Sequence, residues 1–194
     1  TYVVLQQNWP GAESIAVVCG GGNNAGDGYL VAKLAIEDGK QVSVVNAFNP
    51  EKLTGDAATA YQDLLSTGIT PISISSFDAN NADLIVDALF GTGLDRDIEG
   101  DCYELINKIN AVSCSVLSVD IPSGLNADIG TIRNVAVKAD ATATFIGLKQ
   151  GMFTGDGLAL SGKIRFDDLG VPDAVYQEMQ QIKGESKVKR LQLE

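Results

Sequence analysis

The sequence predicts an α/β fold built on a mostly parallel, doubly wound sheet. Three observations carry that reading: short apolar runs at 14–20, 83–91 and 113–124, amphipathic segments of helical length between them, and turns of Gly, Asn and Asp where the runs end. A strand covered on both faces has no reason to alternate polar with apolar residues, so near-continuous runs belong to parallel strands flanked by helices.

TYVVLQQNWP (1–10) reads as the last turns of a helix that runs out at Pro10. SIAVVCG (14–20) is a β-branched strand ending in glycine, and from about Gly26 to Glu37 the residues Leu30, Val31, Leu34 and Ala35 recur at helical spacing. QVSVVNAF (41–48) is the second strand; Thr54, Gly55 and Asp56 then open a helix, DAATAYQDLLSTG, that Gly68 closes. ITPISI (69–74) is a weaker strand, because Pro71 lacks the N–H that a central pairing position needs. DLIVDALFG (83–91) is a strong one, followed by the loop GTGLDRDIEG and a helix from about Asp101 to Ala111. SCSVLSVDIPSG (113–124) repeats the scheme, an apolar strand ending at an aspartate and a turn. ADATATFIG (139–147) and GKIRFDDLG (162–170) read as further strands with glycine-rich connections, a mixed or edge extension of the sheet. Residues 1–173 form one domain in this reading, and 174–194 a polar tail or connector.

The 25 acidic against 14 basic side chains, net −11, repel a phosphate backbone, so no nucleic-acid partner is expected. Cys19, Cys102 and Cys114 form no C-x-x-C pair and histidine is absent, so neither a disulfide framework nor a zinc site has its parts. Without histidine, proton transfer falls to carboxylate, lysine, tyrosine or cysteine. No apolar run reaches the length of a membrane span and no basic leader opens the chain, which suits a cytoplasmic protein without a membrane partner.

Ligands of an open α/β sheet bind outside the carboxyl ends of its strands, which directs attention to three segments. After the first strand, Gly20, Gly22 and Gly26 permit a tight turn and close approach of a ligand to backbone N–H groups, or serve only to pack helix on sheet. An ordinary dinucleotide cradle would place an acid at the end of the second strand, where Asn46, Ala47 and Phe48 stand, and no Lys-Ser or Lys-Thr follows to make a P-loop. Asn23, Asn24 and Asp27 suit hydroxyl and amide recognition or a hard cation, and equally plain turn and N-cap chemistry. Asp87 and Asp120 each stand at the end of a buried strand. Such a carboxylate must be held by N–H groups or a cation, kept neutral by a raised pKa, or used to cap a neighbouring loop. GTGLDRD (91–97) adds a second glycine-rich turn, with Arg96 as a phosphate contact.

GGGNNAGDGYLVAKLA, DLIVDALFGTGL, VLSVDIPSGL and FIGLKQGMFTG, in this order, resemble the NAD(P)H-hydrate epimerases, the YjeF N-terminal-type domains, from about Trp9 to Leu169. The resemblance implies a Rossmann-like three-layer sandwich and an isomerase of metabolite repair. Its substrates would be hydrated NADH and NADPH (NADHX and NADPHX), whose R and S forms it interconverts at C6 of the nicotinamide ring. It implies substrate contacts from Asn23, Asn24, Ala25, Gly26 and Asp27, from Gly91, Thr92, Gly93 and Leu94, onward through Asp95, Arg96 and Asp97, and from Asp120. It also implies a potassium ion on Asn24, Asp87 and Ser123, whose amide, carboxylate and hydroxyl oxygens suit a hard cation. From the substrate's chemistry, Asp120 is the expected acid and then base for loss and return of water at C6. Family members carry helices before the first strand that help cover the substrate and form a homodimer, and residues 1–10 correspond to their end. ESKVKRLQLE resembles the connector to an ADP- or ATP-dependent dehydratase in two-domain members. A non-catalytic nucleotide-binding or protein-interaction module of the same fold is the alternative, and a hydride-transferring dehydrogenase a third reading weakened by the missing ribose acid. Asp120 separates the first two, since a binding module has no need of that carboxylate.

Overall fold

A computed structural model describes residues 1–172 and 174–176; the expected tail or connector lies almost wholly outside the described residues. In chain order the elements are α1 (Tyr2–Asn8), β1 (Ser14–Cys19), α2 (Asn23–Glu37), β2 (Gln41–Asn46), α3 (Gly55–Leu65), β3 (Ile72–Ser73) and β4 (Leu84–Ala88). They continue as α4 (Gly100–Ala111), β5 (Ser115–Val119), β6 (Ala141–Phe145), α5 (Gly157–Leu160) and β7 (Lys163–Asp167). The strands form one sheet in the order β3-β2-β1-β4-β5-β6-β7. Every pair is parallel, with Val17 opposite both Val44 and Val86, and Val86 opposite Leu117.

The α/β expectation holds, and of the two alternatives for the last strands the edge extension is found and the mixed one is corrected: β6 and β7 continue the sheet in parallel to its edge. Segments 120–140 and 146–162 are long enough to carry the chain back across the sheet, the one requirement of a parallel step, without a long helix. β3 shrinks to two residues behind Pro71, as its lack of an N–H predicts. α2 begins at Asn23 rather than near Gly26, so Asn23 and Asn24 form the first turn of a helix whose N-cap is Gly22. The described residues include no helix long and apolar enough to cross a membrane.

Side-chain alternation divides the core into two layers. Ile15, Val17 and Cys19 of β1 and Leu84, Val86 and Ala88 of β4 face α1, α2 and α3; Ala16, Val18 and Ile85 face the other way, where Leu105, Ile106 and Ile109 of α4 cover them. α2 and α3 approach so closely that a Cβ on Gly26 would lie 3.0 Å from Ala57 Cα. The glycines of the first turn therefore have different tasks. A Cβ on Gly20 would stand 1.8 Å from the carbonyl oxygen of Leu89, whereas Gly22 has nothing within 4 Å and opens towards solvent. Packing of the β1 end against the β4 end requires the first; only the second leaves space for a ligand. Gly20→Ala should cost about 3 kcal/mol or more in urea unfolding, while Gly22→Ala should cost no more than about 1 kcal/mol. Equal effects would show that the turn is not organised by that contact.

Candidate active site

The chain turns from one half of the sheet to the other between β1 and β4, and the crevice outside that switch point is where the predicted residues gather. Asp87 lies on the face of β4 shared with Ile85 and is fully buried. Its Oδ2 accepts from Ser118 Oγ at 2.8 Å and Ser123 N at 2.9 Å; its Oδ1 accepts from Ser123 Oγ at 2.6 Å and Leu89 N at 3.3 Å. Burial pushes the Asp87 carboxyl above the ordinary carboxylate range, and these bonds oppose it. Ser123 Oγ also accepts from Phe90 N at 2.8 Å, so one hydroxyl ties the turn after β5 to the turn after β4.

Asn24 reaches the same place from α2. Its side chain packs against Gly91, where an added Cβ would lie 3.5 Å from Asn24 Cγ, and its Nδ2 is buried without a hydrogen-bond partner. A half-turn of the amide exchanges nitrogen for oxygen at that spot, so the orphaned position can present an acceptor. Asn24, Asp87 and Ser123 thus converge on the segment 87–91. A buried carboxylate, a hydroxyl and an unpartnered amide form an oxygen donor set that fits a hard monovalent ion. Among the described residues no cluster of three or more His, Cys, Asp or Glu side chains could hold a metal.

Asp120 stands two strands from β1, and the backbone there is strained. Its φ is 67°, and Ile121 N donates to Val119 O at 2.8 Å, closing a three-residue turn. β6 ends the same way: Ile146 has φ 65°, and Gly147 N donates to Phe145 O at 2.6 Å. Positive φ at non-glycine residues, a β-branched one included, costs on the order of 1–3 kcal/mol each. The two bends lie side by side, and Lys149 fills the space between them. Its ammonium pairs with Asp120 Oδ1 and donates to Thr144 Oγ1 and Phe145 O, each at 3.0 Å. The Lys149 and Asp120 side chains are only 13% and 20% exposed, so the pair is largely shielded from water. Asp27, exposed in the first turns of α2, is near enough to feel the charge of Asp120. Partial desolvation raises its carboxyl above the usual range, and the charge of Asp120 adds to the rise.

Sequence reasoning did not find Lys149 or Thr144; the signal was the fourth motif, FIGLKQGMFTG, which carries the lysine in an otherwise apolar stretch. Thr92, Gly93, Asp95, Arg96 and Asp97 are exposed beyond Gly91, while Leu94 packs partly into the α4 layer. Arg96 makes no ion pair among the described residues. Ala25 and Gly26 are buried in the first turns of α2, so they can offer a ligand backbone rather than side chain.

An all-parallel, doubly wound sheet with a buried carboxylate beside its switch point and a carboxylate–ammonium pair further along the same edge defines a Rossmann-like α/β domain. The family model for the YjeF-related protein N-terminus matches residues 1–151, and the chain belongs to that family. It is 38% identical over 164 residues to the NAD(P)H-hydrate epimerase of Limosilactobacillus fermentum, covering 84% of this chain and 78% of that one. It is 36% identical over 176 residues to the bifunctional NAD(P)H-hydrate repair enzyme Nnr of Coxiella burnetii, covering 91% of this chain and 36% of that one, so it spans about a third of that relative's length. A yeast crystal structure shares the fold, with TM-score 0.78 at 17% identity, over 92% of this chain and 79% of the other.

Ser123→Ala would remove one hydrogen bond from a buried carboxylate and leave Phe90 N without an acceptor. The expected loss is about 3 kcal/mol in urea unfolding. A change within about 0.5 kcal/mol would mean that this junction does not hold the site together.

Proposed function

We propose that the chain interconverts the R and S forms of hydrated NADH and NADPH at C6 of the nicotinamide ring. The Asp120–Lys149 pair, set on two strained strand ends in a family with relatives named NAD(P)H-hydrate epimerase, is the observation that carries this reading. A fused or associated dehydratase, acting on the epimerised product, is the partner this reading calls for.

C6 bears a hydroxyl and adjoins the ring nitrogen. Protonating that hydroxyl breaks the C6–O bond, releases water and leaves a cation stabilised by the nitrogen lone pair; water can then add to either face and lose a proton. All three donors of the Lys149 ammonium are engaged, one on Asp120, so Asp120 is kept as an acceptor and takes the proton from the incoming water. Asp27, whose carboxyl is raised by partial desolvation and by the charge of Asp120, gives the proton to the leaving hydroxyl, and solvent carries the proton that Asp120 has taken back to Asp27 before the next turnover. This division refines the expectation that Asp120 serves both steps. Two carboxylates in different surroundings perform acid and base roles more readily than one. Potassium held by Asn24, Asp87 and Ser123 would supply a fixed positive charge beside a buried carboxylate and tie together the turns after β1, β4 and β5.

The direct test mixes the chain with the R form of NADHX and follows appearance of the S form by chromatography. Asp120→Asn should lower kcat about 100-fold or more; unchanged interconversion with normal substrate binding would remove Asp120 from the chemistry. Asp27 must hold its proton to act, so kcat should fall as pH rises through its raised pKa, and Asp27→Asn should abolish that dependence. The same alkaline limb in the variant would exclude Asp27 as the acid.

Replacing potassium with tetramethylammonium should lower the melting temperature and weaken substrate binding, because the larger ion cannot enter the space beside Asn24. Identical melting curves and identical KM in the two salts would argue against the ion site.

A further inference from the structure

A dinucleotide whose nicotinamide lies at Asp120 must place its adenosine half elsewhere along the same edge of the sheet. The end of β2 is where an open α/β sheet ordinarily meets the ribose, through an acid. Here that end is Asn46, and its Oδ1 already accepts from Tyr29 Oη at 2.9 Å, so the position is committed to a contact with α2. The order β2-β1-β4-β5 puts this end three strand spacings from Asp120, about 14 Å, a span that an extended dinucleotide covers.

What lies there instead is a cavity of about 330 Å³ beside the ends of β2 and β3, closed on its far side by α4. Asn46, Ser73 and Ser75 line it from the strands, and Asp101, Glu104 and Lys108 from the helix. Glu104 and Lys108 are spaced for an i,i+4 pair, yet neither makes an ion pair among the described residues, so both charges are available to a ligand. The Ser73 and Ser75 hydroxyls stand 2.8 Å apart and add neutral donors and acceptors. Phe48, two residues beyond Asn46, stands at the glycine turn: its ring is 3.4 Å from where a Gly21 Cβ would stand and meets Phe90 edge-on at 6.0 Å.

We propose that this cavity seats the adenosine half of the dinucleotide, with Glu104 from α4 standing in for the strand-end acid. Glu104 accepts from the free 2′-hydroxyl of NADHX, and Lys108, one turn further along the helix, receives the 2′-phosphate of NADPHX. The inference rests on the epimerase reading for its substrate and adds to it a specificity element on a helix. It accounts for a site that takes both dinucleotides, with a separate side chain for each.

The test titrates the whole chain with ADP-ribose and with 2′-phospho-ADP-ribose by calorimetry, and measures KM and kcat for both hydrates. Both variants change exposed side chains and should melt like the parent. Lys108→Ala should weaken the 2′-phosphorylated probe about tenfold and leave ADP-ribose unchanged; Glu104→Gln should weaken ADP-ribose and spare the other, and each loss should appear as a raised KM for the corresponding hydrate. The cavity assignment is overturned if neither variant changes the ratio of the two affinities, or if the parent binds neither probe. A parent that binds both probes with the expected split but forms no S epimer would overturn the epimerase reading and leave the cavity assignment standing.

Discussion

The buried carboxylate of Asp87 is the point around which the carboxyl edge of the sheet is assembled. An ionised group at that depth is strongly unfavourable without compensation, and its four hydrogen bonds come from two serines, the Ser123 backbone and Leu89. Those donors belong to β5 and to the turns after β4 and β5, so satisfying one carboxylate fixes the two turns relative to each other. The unpartnered amide of Asn24 arrives from α2 against Gly91, bringing in the third strand end. Three loops that could otherwise move independently are thereby referenced to a single atom cluster.

From that anchored edge the Asp120–Lys149 pair is displaced by only a few residues. Asp120 precedes Ser123 in the same turn, and its left-handed backbone aims the carboxylate across to β6, where a second left-handed bend at Ile146 lets Lys149 return to it. Strain of this kind persists only where the surroundings over-determine it. Here the surroundings are the parallel β5–β6 pairing beneath and the three acceptors of the lysine above. The histidine-free composition finds its counterpart in this arrangement: an ammonium orients the carboxylate, a task that imidazole performs in other sites.

Much of this was legible in the chain itself. Continuous apolar runs announce parallel strands because a doubly covered strand has no polar face, and Pro71 marks β3 as marginal because it cannot donate. Asp87 and Asp120 announce themselves because charge at the end of a buried strand needs a reason. Other features left no such trace. The parallel direction of β6 and β7 depends on where irregular segments carry the chain, and turn composition does not encode a direction. The start of α2 lies about a turn before the apolar spacing suggests, because Asn23 and Asn24 suit caps and helix starts alike.

Patterns of burial along a chain are local, so the sequence alone suffices for the class of fold, the strand ends that matter and the family to which the motifs belong. Pairing across the sheet is not local. Only the tertiary structure joins Lys149 to Asp120, ties Ser123 to Asp87, assigns Gly20 to packing and Gly22 to open space, and bonds Asn46 to Tyr29 at the wall of a cavity that Glu104 and Lys108 also line. Each of these depends on distances between segments far apart in sequence, set by the register of parallel strands and by which helix covers which face.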